Sequence, residues 1–126
     1  MRATVTVVQA LVRLLFGVLL ILGIAFWSGR WLGLIPLHMA LGVALVLCLW
    51  ITSSLAAIAR VPVGPAIAGI VLGMLVVALG VTQMQLLAGS SHWIVQVVHL
   101  LFGMAAIGLN ERLARLTKDR LATASR

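Results

Sequence analysis

Two histidines, His38 and His99, lie inside strongly apolar stretches, and each is followed four residues later by a glycine, Gly42 or Gly103. Imidazole can bind a metal ion or form hydrogen bonds, so both kinds of chemistry are open to a histidine in such a stretch. A residue four positions further along a helix lies on the same face, one turn away. Each pair would therefore place an imidazole next to a gap that contains no side chain.

The composition indicates what surrounds these imidazoles. Of the 126 residues, 63% are hydrophobic and only 9% are charged, and the mean hydropathy is +1.25. A soluble domain of this size needs more polar groups to cover its exterior, so we predict an integral membrane protein. The net charge of +7 does not indicate nucleic-acid binding, because five of the nine basic residues lie from Arg112 onward. That position beside the last apolar run suits anchoring to membrane lipids on the cytoplasmic side.

Four apolar segments are each close to the roughly 20 residues that cross a bilayer as a helix. They run over about residues 4–27, 34–58, 63–87 and 93–109, and the connections between them are short. Short connections favour antiparallel neighbours, and open strands cannot satisfy their backbone in lipid. We therefore predict an all-α fold, an integral membrane antiparallel four-helix bundle over residues 1–110, followed by a basic cytoplasmic tail, 111–126.

The distribution of Lys and Arg predicts the orientation of the bundle. One side holds the basic residues of both termini together with Arg60, and the other side holds only Arg30. Because cytoplasmic loops carry an excess of Lys and Arg, both termini should be cytoplasmic in a multi-pass protein of a bacterial inner membrane. Arg13, in the inner part of the first span, is expected to extend to cytoplasmic headgroups rather than to form a buried pair, because no acid lies within the spans.

Small and apolar residues predict two further contacts. Gly69, Gly73 and Gly80 recur along the third span, a pattern typical of helices that pack closely without a cofactor. Leu113 and Leu116 lie in the basic tail and are expected to leave a weak apolar edge for lipid headgroups or for a partner.

The predicted topology brings the two histidines to a similar depth. The second and fourth helices run in the same direction, so His38 and His99 lie in the outer half with an offset of roughly 6 Å. Two neutral imidazoles that face each other in a dry bundle suit the two axial positions of a haem iron. We therefore expect one haem b, with His38 and His99 as metal ligands and with Gly42 and Gly103 leaving room for the porphyrin.

Other polar residues at the outer end complete the candidate site. Four residues of the last span have the spacing of a single helix face: His92, Gln96, His99 and Gly103. Gln96 could orient a ligand imidazole, contact a propionate or hydrogen-bond a quinone, and Arg30 could meet the propionates. His92, at the start of its helix, is expected at the membrane interface and is the alternative partner for His38. The polar stretch Thr82–Gln85 could hold helices together, form a loop or line a quinone pocket.

A four-helix membrane bundle with His-x-x-x-Gly on two helices that start from the outside resembles the small b-type membrane cytochromes. It is similar also to one half of haem A synthase. The likeness covers the four spans and rests on His38 with Gly42 and on His99 with Gly103. It implies that the two histidines are axial haem ligands. Members with two haems carry further histidines near both membrane faces; this chain has none in its inner half, which implies a single haem near the outer face.

These features together predict a membrane electron-transfer protein. It would pass single electrons between a quinol or an outer-side redox protein and a partner, as a subunit of a larger respiratory or photosynthetic complex or as a homo-oligomer. Glu111 and Asp119 are the only acids and Cys48 the only cysteine, so we expect cofactor chemistry rather than an autonomous enzyme. Two alternatives stay open: histidines that only hydrogen-bond between helices, and a cofactor-free structural or assembly subunit of a membrane complex.

Overall fold

The computed structural model describes residues 1–87 and 89–124, and these form α-helices joined by short connections, with no β-strand among them. The long helices are α1 (Arg2–Trp27), α2 (Ile35–Ile58), α3 (Val63–Thr82) and α4 (His92–Thr123), and a short 3-10 helix, Leu32–Leu34, precedes α2. All four long helices have the length and apolar composition needed to cross a membrane. The predictions of an all-helical chain and of four segments able to span a membrane are confirmed.

Local sequence signals explain where the helices begin and end. Pro36 lies in the first turn of α2, Pro62 is the N-cap of α3 and Pro65 follows in its first turn. A proline is tolerated there because its missing N–H would have no intrahelical partner. Gly29 follows α1 with a φ of 72°, the left-handed conformation that commonly closes a helix.

The end of α2 has the same closing geometry without a glycine. Arg60 has a φ of 57°. Its N–H donates to the carbonyl of Ala57 at 3.0 Å, and the N–H of Val61 donates to that of Ala56 at 3.0 Å. A left-handed conformation costs a non-glycine residue about 1 kcal/mol. Arg60, the one basic residue between the second and third predicted spans, therefore has a strained backbone conformation.

The third helix is shorter than predicted. It ends at Thr82 rather than near residue 87, and residues 83–87 form turns. Leu87 and Gly89 both have positive φ values, of 46° and 94°. At Thr82–Gln85 the structure has a helix end followed by a loop, and Gln83 and Met84 of this loop line a cavity. Ala88, the first residue of the predicted 88–91 link, lies outside the described residues.

The helices pack as a ring with one diagonal contact. Both α1 and α3 contact α2 and α4, and α2 and α4 also contact each other. Among the described residues, nine buried hydrophobic side chains form one contiguous core cluster: Val12, Leu45, Val46, Leu49, Ala56, Val61, Val76, Ala106 and Leu113. We call the region around residues 5–13, 46–73 and 106–118 the packed end, because most buried residues of the described chain lie there. The region around His38 and His99 is the cavity end, where the buried helix residues of the described chain are Leu22, Leu45, Val76 and Val95.

Glycines of α3 allow the close contacts at the packed end. A Cβ atom at Gly73 would overlap the indole of Trp50 and lie 2.9 Å from Cγ1 of Val46. A Cβ atom at Gly69 would overlap the hydroxyl of Ser53 and lie 3.3 Å from Cδ1 of Leu113. The predicted role of Gly69 and Gly73 in close helix packing is confirmed.

The predicted apolar edge on the tail is wrong. Leu113 is 0% exposed and belongs to the core, and Leu116 packs against the same cluster. The reason is that α4 runs unbroken to Thr123, so its buried face continues beyond the apolar run. The helical part of the tail is thus packed against the other helices.

Replacing Gly73 by Ala should lower the thermal unfolding temperature of the detergent-purified protein. The added methyl group would displace Trp50, whose indole N–H donates to the carbonyl of Ile70 at 3.2 Å. Overpacking of this kind costs about 1–3 kcal/mol. Gly17→Ala is the matched control, because open space surrounds Gly17 and Ala favours the helix by up to about 1 kcal/mol. Equal melting temperatures for the two variants would contradict the packing role of Gly73.

Candidate functional site

The structure brings the two histidines of the His-x-x-x-Gly motifs together. The ring centroids of His38 on α2 and His99 on α4 are 6.5 Å apart, with 48° between the ring planes. Both side chains are half-buried. The ring of Phe26 lies edge-on to that of His38, with the centroids 5.3 Å apart. Residues that are 61 positions apart in the sequence thus share one place in the fold.

A glycine of the preceding helix lies beside each histidine ring. A Cβ atom at Gly23 of α1 would lie 3.9 Å from Cε1 of His38, and one at Gly80 of α3 would lie 3.4 Å from Cε1 of His99. Gly80 therefore belongs to the surroundings of His99, whereas the sequence pattern favoured a role in helix packing alone. Sequence reasoning did not select Gly23, although it ends the first Gly-rich run as Gly80 ends the second.

The glycines that follow the histidines leave open space. A Cβ atom at Gly42 would have no heavy atom within 4 Å, and one at Gly103 would have only Cε2 of Phe16, at 3.9 Å. Both positions therefore have free space directly next to the helix backbone. This is the gap beside each imidazole that the spacing of the motif predicts.

A cavity of about 530 Å³ opens between the four helices at the cavity end. Six of the seven predicted site residues line it: His38, Gly42, His92, Gln96, His99 and Gly103. Arg30 is not among the lining residues and lies exposed in the connection after α1. The walls are mostly apolar, and the loop residues Gln83 and Met84 contribute to them. Sites of this size and polarity hold cofactors and other small molecules.

Each histidine has one buried nitrogen without a hydrogen-bond partner. Within residues 1–87 and 89–124, no donor or acceptor reaches Nδ1 of His38 or Nδ1 of His99. A buried polar atom without a partner costs about 1–3 kcal/mol. A purely structural role as hydrogen-bonding links between helices would use these atoms, and the described part of the chain does not do so.

His92 has a different environment from the other two histidines. Its Nδ1 atom lies 3.2 Å from the carbonyl oxygen of Leu86, in the connection between α3 and α4. Its ring thus lies at the rim of the cavity, where α4 begins. Of the two partners considered for His38, His99 is the one whose ring faces it.

A second polar cluster joins α1 and α4 at the packed end. The guanidinium of Arg13 donates from Nε and Nη2 to the two carboxylate oxygens of Glu111, both at 2.7 Å. Gln9 donates to Glu111 at 2.6 Å and accepts from Lys118 at 2.8 Å. The premise that no acid is available to Arg13 is wrong, although the pair is not a buried one, because the side chain of Arg13 is 59% exposed. Because α4 is unbroken, Glu111 lies beside α1. The predicted division into a bundle and a separate tail that begins at residue 111 does not lead one to expect this contact.

The histidine pair is not part of a larger cluster of metal-binding side chains. Within the described ranges, no group of three or more His, Cys, Asp or Glu residues could hold a metal ion. No family model, no curated protein and no solved structure matches this chain. The function is therefore argued from the geometry of the site.

The Arg13–Glu111 pair should make a small, coupled contribution to stability. Arg13→Gln and Glu111→Gln should each lower the free energy of unfolding by up to about 1 kcal/mol, because the side chain of Arg13 is 59% exposed. The double variant should lose little more than either single variant, since both changes remove the same interaction. Chemical unfolding of the purified protein measures this, with Asp119→Asn as the control. Strictly additive losses would show that the two side chains are not coupled.

Proposed function

We propose that this chain is an integral membrane electron-transfer protein that carries one haem b, with His38 and His99 as its two metal ligands. The observation that carries the proposal is the convergence of these two rings inside an apolar cavity. Bound haem would supply a reversible one-electron couple between ferric and ferrous iron.

The separation of the rings fits axial ligation of one metal ion. A bond of about 2 Å from the metal to each imidazole nitrogen, plus about 1 Å from nitrogen to ring centre, puts two axial rings about 6 Å apart. The observed distance between the centroids is 6.5 Å.

The composition of the donor set also favours haem over a metal ion held by protein alone. A structural or catalytic zinc site needs at least three protein ligands, and the described residues offer no such group. A haem would bring most of its metal ligands within its own macrocycle and would need only His38 and His99 from the protein. Two imidazoles and no further ligand are therefore what a haem requires.

The remaining residues of the site have supporting roles in this proposal. Gly42 and Gly103 leave room for the flat macrocycle, and Gly23 and Gly80 let the rings lie close to the preceding helices. The apolar walls exclude water from the ligands. Gln96 can hydrogen-bond a propionate, a ligand imidazole or a quinone at the edge of the cavity.

The chain is proposed to span a bacterial inner membrane as an antiparallel four-helix bundle with both termini in the cytoplasm. Basic residues near both termini and Arg60 support this orientation. The cavity then lies in the outer leaflet, and Arg30 lies in the outer connection, where it can reach haem propionates. Lipids surround the helices, and the redox partners are a quinol or an outer-side protein and a larger respiratory or photosynthetic complex, or further copies of the chain.

A cofactor-free structural or assembly subunit is the second candidate. The observation that favours it is the close packing around Gly69 and Gly73, which holds α2, α3 and α4 together without any ligand. Such a helix assembly could support a neighbouring membrane protein. The two candidates differ in whether the protein carries a chromophore.

Protein purified from haem-sufficient cells should be red, and its absorption in the Soret region should shift on reduction with dithionite. His38→Ala and His99→Ala should each abolish this absorption, because each removes one axial ligand. His92→Ala should retain it, because His92 is held by Leu86 at the rim of the cavity. Colourless wild-type protein would reject haem and favour the structural subunit, and bleaching by His92→Ala with a red His99→Ala would reassign the ligand.

A valine at Gly80 should weaken haem binding by about tenfold, the effect typical of a disturbed ligand environment. Its Cβ would lie 3.4 Å from Cε1 of His99, so its methyl groups would push the ring out of position. Gly17→Val is the matched control, because it places the same residue in a helix with no neighbour within 4 Å. The measurement is the haem-to-protein ratio after titration with haem. Equal ratios for the two variants would contradict the role of Gly80.

A further inference from the structure

Four polar side chains of α1 and α4 form one connected cluster at the packed end, and the cluster carries a net positive charge. Oε2 of Glu111 accepts hydrogen bonds from both Arg13 and Gln9, and Gln9 accepts one from Lys118. The two cations thus lie at the ends of one short chain of hydrogen bonds. Because the cluster contains two cations and one carboxylate, one positive charge has no counter-charge within it. The side chain of Arg13 is 59% exposed and Lys118 is half-buried, so this charge is open to the surroundings of the helices.

The contacts within the cluster use only some of its donors. A guanidinium has five N–H groups and an ammonium has three. Arg13 uses Nε and Nη2 on Glu111, and Lys118 gives one proton to Gln9. No residue of the described ranges accepts from Nη1 of Arg13 or from a second proton of Lys118. Both cations can therefore bind an anion while the hydrogen bonds within the cluster stay in place.

The length of α4 puts the cluster at the depth of lipid headgroups. Trp93, at the start of α4, is a residue type that is enriched at membrane interfaces. Glu111 lies 18 residues further along the helix and Lys118 lies 25 residues further, which correspond to about 27 Å and about 37 Å. The hydrocarbon core is about 30 Å thick. With Trp93 at one interface, the opposite boundary of the hydrocarbon falls between Glu111 and Lys118, and lipid phosphates lie just outside that boundary.

The surface around Arg13 suits a lipid better than a small soluble anion. Within two turns of Arg13 on α1, Leu14 is 66% exposed, Leu11 is 44% exposed and Val7 is 58% exposed. Apolar side chains of this kind can contact acyl chains, whereas a hydrated ion gains nothing from them. The cluster therefore combines free cationic donors with an adjoining apolar surface.

We propose that Arg13 and Lys118 bind one anionic phospholipid, with its phosphate and ester oxygens against the two cations and its acyl chains along the apolar side chains of α1. Phosphatidylglycerol carries a single negative charge, on its phosphate, and this charge balances the net charge of the cluster. Phosphatidylcholine also carries a quaternary ammonium group, so it offers the cluster no net negative charge. The site lies at the opposite end of the helices from His38 and His99 and does not depend on haem.

Native mass spectrometry of the full-length protein in detergent tests the site. Titration with phosphatidylglycerol should give one bound lipid per chain at concentrations at which phosphatidylcholine does not bind. Inorganic phosphate at the same concentrations should not displace the lipid, because it makes no apolar contacts. Equal binding of the two lipids would overturn the proposal, and so would displacement of phosphatidylglycerol by inorganic phosphate.

Two charge-removing variants separate a defined site from general attraction between basic residues and anionic lipid. Lys118→Gln should weaken the binding of phosphatidylglycerol about tenfold, because a charge-assisted hydrogen bond is lost. Arg120→Gln is the matched control, since it removes the same charge from the same helix at an exposed side chain outside the cluster. Its affinity for the lipid should stay close to that of the wild type. An equal loss of affinity in the two variants would overturn the proposal.

Glu111→Gln distinguishes a lipid site from a cluster that only stabilises the helices. The variant raises the net charge of the cluster from one to two positive charges and removes the carboxylate that holds the guanidinium of Arg13. It should bind phosphatidylglycerol about fivefold more tightly than the wild type, although its stability is lower. A cluster with a structural role alone predicts no gain in lipid affinity. Binding that is unchanged or weaker in Glu111→Gln would overturn the proposal.

Discussion

The close approach of α3 to its neighbours at Gly69 and Gly73 is the contact on which the other features of the structure depend. Because these residues have no side chain, Trp50 and Ser53 of α2 lie directly against the α3 backbone. The core of nine buried side chains forms around this contact. Apolar helices gain little from burying more surface in lipid, so shape complementarity of this kind determines where they meet. The opposite end lacks such a contact, and the helices leave a cavity there.

Buried polar groups show how this arrangement is balanced. In a low-dielectric interior each donor or acceptor needs a partner, and most of those in the described chain find one within their own helix or in the Arg13–Glu111 cluster. The exceptions are the two histidines at the cavity end and Asn110 with Ser53 at the packed end. Unpaired groups thus lie at both ends of the bundle.

The helix pair α1 and α2 and the helix pair α3 and α4 repeat one arrangement around the histidines. Gly23 lies beside His38 as Gly80 lies beside His99, and in each pair the glycine is on the first helix and the histidine on the second. The packed end does not follow this repeat, since the ion pair of Arg13 links only α1 to α4. The similar surroundings of the two histidines at the cavity end suit a site with two equivalent donors. The contacts at the packed end differ between the two helix pairs, and they fix one arrangement of the helices.

Hydropathy and helical spacing by themselves determined the four spans, the proline-marked starts of α2 and α3, and the similar depth of His38 and His99. These properties depend on residues within a few turns of each other, so they can be read along the chain. The end of α3 at Thr82, the burial of Leu113 and the pairing of Arg13 with Glu111 were decided only by the tertiary structure. Arg13 and Glu111 are 98 positions apart, and their meeting depends on how closely α1 and α4 approach and how each is rotated about its axis. No periodicity in either segment contains that information, because it arises from the packing of all four helices.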